Sequence, residues 1–412
     1  MKKHFLLSLI ANVLRVVLGF LFFWQISQVL GLSELGGYLY VTTAVGYFGT
    51  IIDYGFNLFV LNTASRAVGR ARSLFLRIVL SKLTLTFVCL IALSGLYGVA
   101  FSQQGLIVTA LFFIIVVLMS FSGLLLQFFK ALGRFEYELF SVVIMNTLQV
   151  GILFVLREDI TLVGVGLIVL IVRILVLAFQ LIAFLKLTKE QDWGSVTGNS
   201  QQLLFGIVAD FRNNAKYALF SVFGAIFLSI DLVIMGFLLG PESVSIYGTA
   251  MKVILALILF FEVLNGTFTP RLARLQETNS ARLSYEVKRF YWIMGSMAFL
   301  CFLVAFTLGP PAIVWAFGPE FEASGDLVRI LALVFVFRVT EMTTGPMLTI
   351  YGLQSYRARA MVIVLPVHIG LNMILQSTFG VEGAVVTLAI SFFTLFILNS
   401  FYLRRNRPKA LF

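Results

Sequence analysis

The stretch from Gln28 to Arg66, QVLGLSELGGYLYVTTAVGYFGTIIDYGFNLFVLNTASR, reads as the end of one membrane helix, a tight turn and a second helix returning to a basic edge. Gly31, Ser33, Gly36 and Gly37 supply the turn, because a hairpin at a membrane surface needs small or permissive backbone there. A similar phrase, LLGPESVSIYGTAMKVILALILFFEVLNG, begins at Leu238. At a constant shift of 209 residues, Leu30-Gly31 falls on Leu239-Gly240, Tyr38 on Tyr247 and Asp53 on Glu262. A carboxylate thus falls on a carboxylate, deep inside an apolar run. At a shift of 212, Arg77 and Cys89 fall on Arg289 and Cys301. The recurrence points to two similar halves and to a transporter built from repeats.

Composition agrees. Of 412 residues, 60% are hydrophobic and 12% charged, where a soluble domain carries roughly a quarter charged residues. The solvent is lipid. The net charge of +11 is not the mark of a nucleic-acid binder, because the basic residues are scattered through short loops between apolar segments. Cys89 and Cys301 lie in apolar runs without metal-ligand spacing, and His4 and His368 make no cluster. The apolar run after Met1-Lys2-Lys3-His4 continues past Arg15 to about Leu30 without a small-x-small cleavage site, so it reads as an uncleaved first helix.

Twelve apolar segments are long enough to span a bilayer: 5–30, 36–62, 74–100, 105–129, 138–157, 160–186, 215–239, 244–268, 290–317, 326–350, 360–377 and 381–403. Alternate loops hold Arg66, Arg70, Arg72 and Arg77, then Lys130 and Arg134, then Lys186, Lys189, Arg212 and Lys216. The series continues with Arg271, Arg274, Arg282, Lys288 and Arg289, then Arg357 and Arg359, then Arg404 to Lys409. Arg157 is the one clear basic residue of the intervening loops. Both termini are therefore expected in the cytoplasm. The expected organisation is a six-helix bundle over 1–190, a cytoplasmic linker over 191–214 and a second six-helix bundle over 215–412. Six helices per half keep the halves parallel in the membrane.

The LG-x-x-x-x-G-x-Y turn at 30–38, its echo at 239–247 and the two six-helix halves resemble the polysaccharide flippases. These are O-antigen and exopolysaccharide repeat-unit exporters of the MOP superfamily, which also holds the MATE multidrug exporters and the lipid II flippases. The resemblance implies an all-α, MATE-like polytopic membrane protein with two bundles around a central cavity. It implies alternating access and an undecaprenyl-diphosphate-linked oligosaccharide as substrate, in the bacterial inner membrane. A polysaccharide polymerase and other assembly proteins are the partners it implies. An ion-coupled exporter of amphipathic small molecules is the rival reading.

Ionisable groups at membrane depth face a cavity or a partner. Arg15, Arg173, Lys252 and Arg338 are the basic candidates for holding the diphosphate; Asp53, Asp231, Glu262 and Glu341 are the acidic candidates for ion coupling or charge pairing. Arg15 and Asp53 lie at nearly equal depth from the turn near Ser33, so they are expected to pair, or to hold a diphosphate-binding arginine in place. Asp231 and Lys252 are equally matched about the turn at Pro241-Glu242. Arg338 and Glu341, at i, i+3, share a helix face. Glu262 lacks a depth-matched base and is a candidate for H+ or Na+ coupling, or a hydrogen-bonded structural carboxyl. Arg173 has no acidic neighbour within a helical turn. No HxE/CxxC set, P-loop or GxSxG motif is present, so no catalytic role and no cofactor beyond a coupling ion are expected.

Overall fold

A computed structural model describes residues 2–65, 71–156, 160–189, 200–278 and 280–406. They form thirteen α-helices: α1 (Lys2–Val29), α2 (Leu32–Asp53), α3 (Phe56–Ala64), α4 (Ala71–Leu96), α5 (Leu106–Ala131), α6 (Phe135–Val155), α7 (Leu162–Leu187), α8 (Ser200–Leu238), α9 (Pro241–Thr278), α10 (Ser280–Phe317), α11 (Glu322–Ile350), α12 (Gln354–Phe379) and α13 (Val381–Asn406). Short 3-10 and π turns join some of them, and no strand occurs among the described residues. Eleven helical spans among the described residues are long and apolar enough to cross a membrane. The expected tenth span is α11, whose 29 residues include the Arg338–Glu341 pair. The chain is a multi-pass membrane protein.

The expected second span, 36–62, is broken. Tyr54 (φ 43°) and Gly55 (φ 72°) are both left-handed, so α2 stops at Asp53 and α3 starts at Phe56. Only glycine takes that conformation without strain, and a Cβ on Gly55 would also meet Tyr217 Cβ at 2.7 Å. The expected seventh span, 215–239, starts earlier than its apolar run: residues 200–214, which read from sequence as linker, are the first turns of α8. They are anchored by Arg77, whose Nε lies 2.6 Å from Asp210 Oδ2, and by Phe211 packing edge-on against Tyr54 at 5.1 Å. The rest of the expected linker, 191–199, lies outside the described residues.

The chain divides into two compact units, residues 1–228 and 229–412, with the division inside α8. In the first unit α5 is central and packs on α2, α3 and α7, while α1 runs along α6. Phe56, Leu124, Phe128, Phe129 and Phe184 form its buried apolar cluster. In the second unit α11 is central, against α9, α10 and α13, and α12 pairs with α13.

Helices α9 and α10 have 38 residues each, nearly twice the ~20 a bilayer requires. On α10, Trp292 and Trp315 are strongly exposed and stand 23 residues apart. At 1.5 Å per residue that is about 35 Å, close to the ~30 Å hydrocarbon core whose two faces attract tryptophan. The helix therefore enters lipid near Trp292, and its preceding turns stand outside. There Glu286 ties the two helices together, with Arg271 Nη2 2.6 Å from its Oε1.

The α12–α13 corner yields a stability prediction. A Cβ at Gly383 would overlap the Leu375 carbonyl and the Gln376 amide. Backbone cannot move aside as a side-chain tip can, so Gly383→Ala should cost about 3 kcal/mol, the upper end of ordinary overpacking. A Cβ at Gly370 would meet nothing within 4 Å, so that position should accept alanine without loss. Thermal unfolding of the detergent-solubilised variants checks both.

Candidate functional site

A cluster of charge lies where α1, α5 and α6 of the first unit meet, and Arg173 of α7 is an electrostatic neighbour of its Arg15. Glu138, in the first turn of α6, has a side chain 1% exposed. Its Oε1 lies 2.9 Å from Lys130 Nζ, in the last turn of α5, and 3.4 Å from Arg15 Nη2 on α1. Ser8 donates to Oε2 at 3.4 Å, and Asn12 accepts from Arg15 Nη1 at 3.2 Å. The arrangement follows from α1 lying along α6, which sets Ser8, Asn12 and Arg15 on the strip of α1 nearest Glu138. Arg173, in mid-α7, has Tyr38 and Arg15 as its electrostatic neighbours. Its Nε is buried without a hydrogen-bond partner among the described residues.

Arg15 thus links two groupings, sharing Glu138 with Lys130 and neighbouring Arg173, which together hold three cations and one carboxylate. A buried charge without a counter-ion is costly, and guanidinium groups present planar, forked donors that match phosphate oxygens. Two positive charges in excess fit a dianion, and Arg15 stays open to one: its side chain is 44% exposed.

The expected pairing of Arg15 with Asp53 is not formed. A count of residues from the turn does not say which helices face each other, and α1 packs on α6 whereas α2 packs on α5 and α4. Asp53 is held instead by Lys82 of α4, Oδ1 to Nζ 2.6 Å. Asp231 Oδ2 accepts from the Tyr247 hydroxyl and its Oδ1 from Leu232 N–H at 3.0 Å. Lys252 is half-buried on α9. Glu262 is exposed on the same helix. Arg338 and Glu341 do pair, Nη1 to Oε2 2.5 Å, with the guanidinium also over the Phe392 ring and Arg357 3.9 Å from the other carboxylate oxygen.

Sequence reasoning misses Glu138, Lys130 and Lys82. Lys82 sits within the apolar run 74–100, and that isolation is its signal; Glu138 stands at the edge of a span, where a charge looks like part of a loop. Also missed is a file of buried polar side chains on α12. His368, Asn372 and Gln376 recur at i, i+4 and i+8, one face of a helix. His368 bonds Ser391 of α13 at 2.8 Å and Asn372 at 3.2 Å, Asn372 accepts from Gln376 at 2.8 Å, and Gln376 donates to the Asp231 carbonyl at 3.2 Å.

The family model for "Polysaccharide biosynthesis protein" matches residues 1–276. Among curated proteins, the chain is 26% identical over 230 residues to the probable low-salt glycan biosynthesis flippase Agl15 of Haloferax volcanii, an alignment covering 55% of this chain and 48% of that protein. The matched region therefore spans about half the length of that relative. Among solved structures, the chain is similar to an inward-facing multidrug resistance MATE family transporter of the MOP superfamily, with a TM-score of 0.75, 15% identity and 97% of each chain covered. It is also similar to a MOP superfamily transporter from Pyrococcus furiosus, described as having a binding pocket of reverse polarity, with a TM-score of 0.64, 15% identity and 97% of this chain and 93% of that one covered. These likenesses establish the MATE-like fold.

Proposed function

Since the chain belongs to the polysaccharide biosynthesis protein family, we propose that it is a flippase of the MOP type that moves an undecaprenyl-diphosphate-linked oligosaccharide repeat unit from the cytoplasmic to the periplasmic leaflet of a bacterial inner membrane. The family is of transporter rather than catalytic type. The observation that carries the reading is the excess of positive charge around Arg15, Lys130 and Arg173, with one arginine accessible and the Nε of another unpartnered among the described residues. Diphosphate oxygens supply what the cluster lacks. Glu138 keeps Arg15 and Lys130 in place between substrates and gives them up when phosphate arrives. The sugars travel with the headgroup and the prenyl chain remains in lipid.

Lys252 and Arg338 belong to the second unit, where Arg338 is already engaged by Glu341. Among the four acidic candidates, Asp53 and Glu341 are ion-paired and Glu262 is exposed. Asp231, buried and held by a tyrosine, is the carboxylate best suited to take up a coupling H+ or Na+. Both termini lie in the cytoplasm in this reading, from the distribution of basic loops.

Deletion in the native host tests the substrate. Lipid-linked glycan should accumulate on the cytoplasmic face, and the wild-type chain should clear it. Unchanged glycan export together with new sensitivity to amphipathic drugs would assign the chain to small-molecule export instead.

Glu138→Gln separates the roles within the cluster. Losing the internal counter-ion should tighten binding of inorganic pyrophosphate to purified protein by about tenfold, one charge-assisted interaction no longer competing. Unchanged pyrophosphate affinity would remove Glu138 from the site.

A further inference from the structure

A second charged centre in the first unit takes no part in the proposed diphosphate site. It lies at the break between α2 and α3. Lys82 of α4 is fully buried, and its ammonium touches three oxygens: Asp53 Oδ1 at 2.6 Å, Ser120 Oγ at 2.7 Å and the Ser120 carbonyl at 2.9 Å. Ser120 Oγ also donates to Asp53 Oδ1 at 2.6 Å. The three N–H groups of the lysine thus match a carboxylate, a hydroxyl and a carbonyl contributed by α2 and α5.

That donor set is the chemistry of a monovalent-cation site. It offers hard oxygen ligands and a single negative charge, which one unit of positive charge neutralises. Its placement points the same way. Asp53 is the last residue of α2, and a carboxylate there sits at the negative end of the helix dipole, where a cation is favoured. Discontinuous membrane helices expose such ends and their carbonyls to bound ions. Asp53 is 33% exposed, so one wall of the site is open, whereas the lysine amine is fully enclosed.

We propose that the Asp53–Ser120 cage is a monovalent-cation site occupied by a tethered ammonium, so that this unit works with a covalently attached cation where a free ion would otherwise bind. Shortening residue 82 should uncover a site for Na+ or K+. This does not rest on the flippase reading, because it concerns ion binding by the purified chain.

The test is thermal unfolding of the full-length protein in detergent, in choline chloride titrated with NaCl or KCl. Lys82→Ala should melt below wild type in choline and rise saturably by about 3–6 °C toward about 150 mM Na+ or K+, the shift expected of a millimolar site. The rise should be absent from Lys82→Ala combined with Asp53→Asn. No rise in the single variant, or an equal rise in the double, would overturn the proposal. If Lys82→Ala does not fold in choline, the readout becomes monodisperse yield after extraction in choline, NaCl, KCl or propylammonium chloride. Recovery in the small cations alone supports the site; equally low yield in all four overturns it.

Discussion

Exchanging Arg173 for alanine should abolish most flipping while leaving the protein at least as stable as wild type. A hydrogen bond from a charged group contributes about 1.5–3 kcal/mol, so losing this guanidinium should slow translocation roughly 10- to 150-fold. Stability should not fall, because the Arg173 Nε has no hydrogen-bond partner among the described residues to leave stranded. Removing the side chain relieves repulsion from Arg15. Arg173→Lys keeps the charge but not the fork, so intermediate activity is expected. Arg15→Ala behaves differently, losing transport and also the contact with Glu138. The checks are a translocation assay and a melting curve on the same preparation. A wild-type rate for Arg173→Ala would return the residue to a packing role.

The second large effect is expected at Asp53 and Lys82, and burial fixes its asymmetry. Asp53→Asn strands an ammonium with no exposed surface. Breaking a buried pair from one side typically costs about 3–5 kcal/mol, enough to remove most folded protein. Lys82→Met instead strands a carboxylate that is one-third open to its surroundings, so its loss should be distinctly smaller. The double variant should recover much of the stability, since neither charge remains. Folded yield and melting temperature of the three variants check the order. Equal losses in both single variants would contradict the burial argument, and two unperturbed single variants would contradict the pair.

These residues also mark what can be read from sequence. Apolar length places the spans well: 105–129 matches α5 to within two residues at each end and 381–403 lies within α13, because backbone in lipid must satisfy its own hydrogen bonds and so runs helical wherever it is apolar. Lateral neighbours are not legible: which side of α1 meets which helix is decided by packing, and α6 rather than α2 lies along it. The break at Tyr54-Gly55 is hidden because one glycine in an apolar run is tolerated in many continuous membrane helices. The early start of α8 is hidden by its polarity; Arg77 and Asp210 hold those turns, and they come from distant segments. Arg338 and Glu341 are legible because their relation is local, fixed by one helical turn. Of the cationic cluster, Arg15 and Arg173 stand out as charges within apolar runs, whereas Lys130 and Glu138 are at helix ends and look like ordinary loop charges until the ends converge.

The measurement that bears most directly on the account is translocation of an undecaprenyl-diphosphate-linked oligosaccharide in proteoliposomes, read by enzymatic accessibility of the glycan. Wild-type protein should move the lipid across the bilayer, Arg173→Ala and Arg15→Ala should move it far more slowly, and inorganic pyrophosphate should compete on the loading side. Absence of translocation by folded wild-type protein, or equal rates in wild type and both arginine variants, would contradict a diphosphate-gripping flippase.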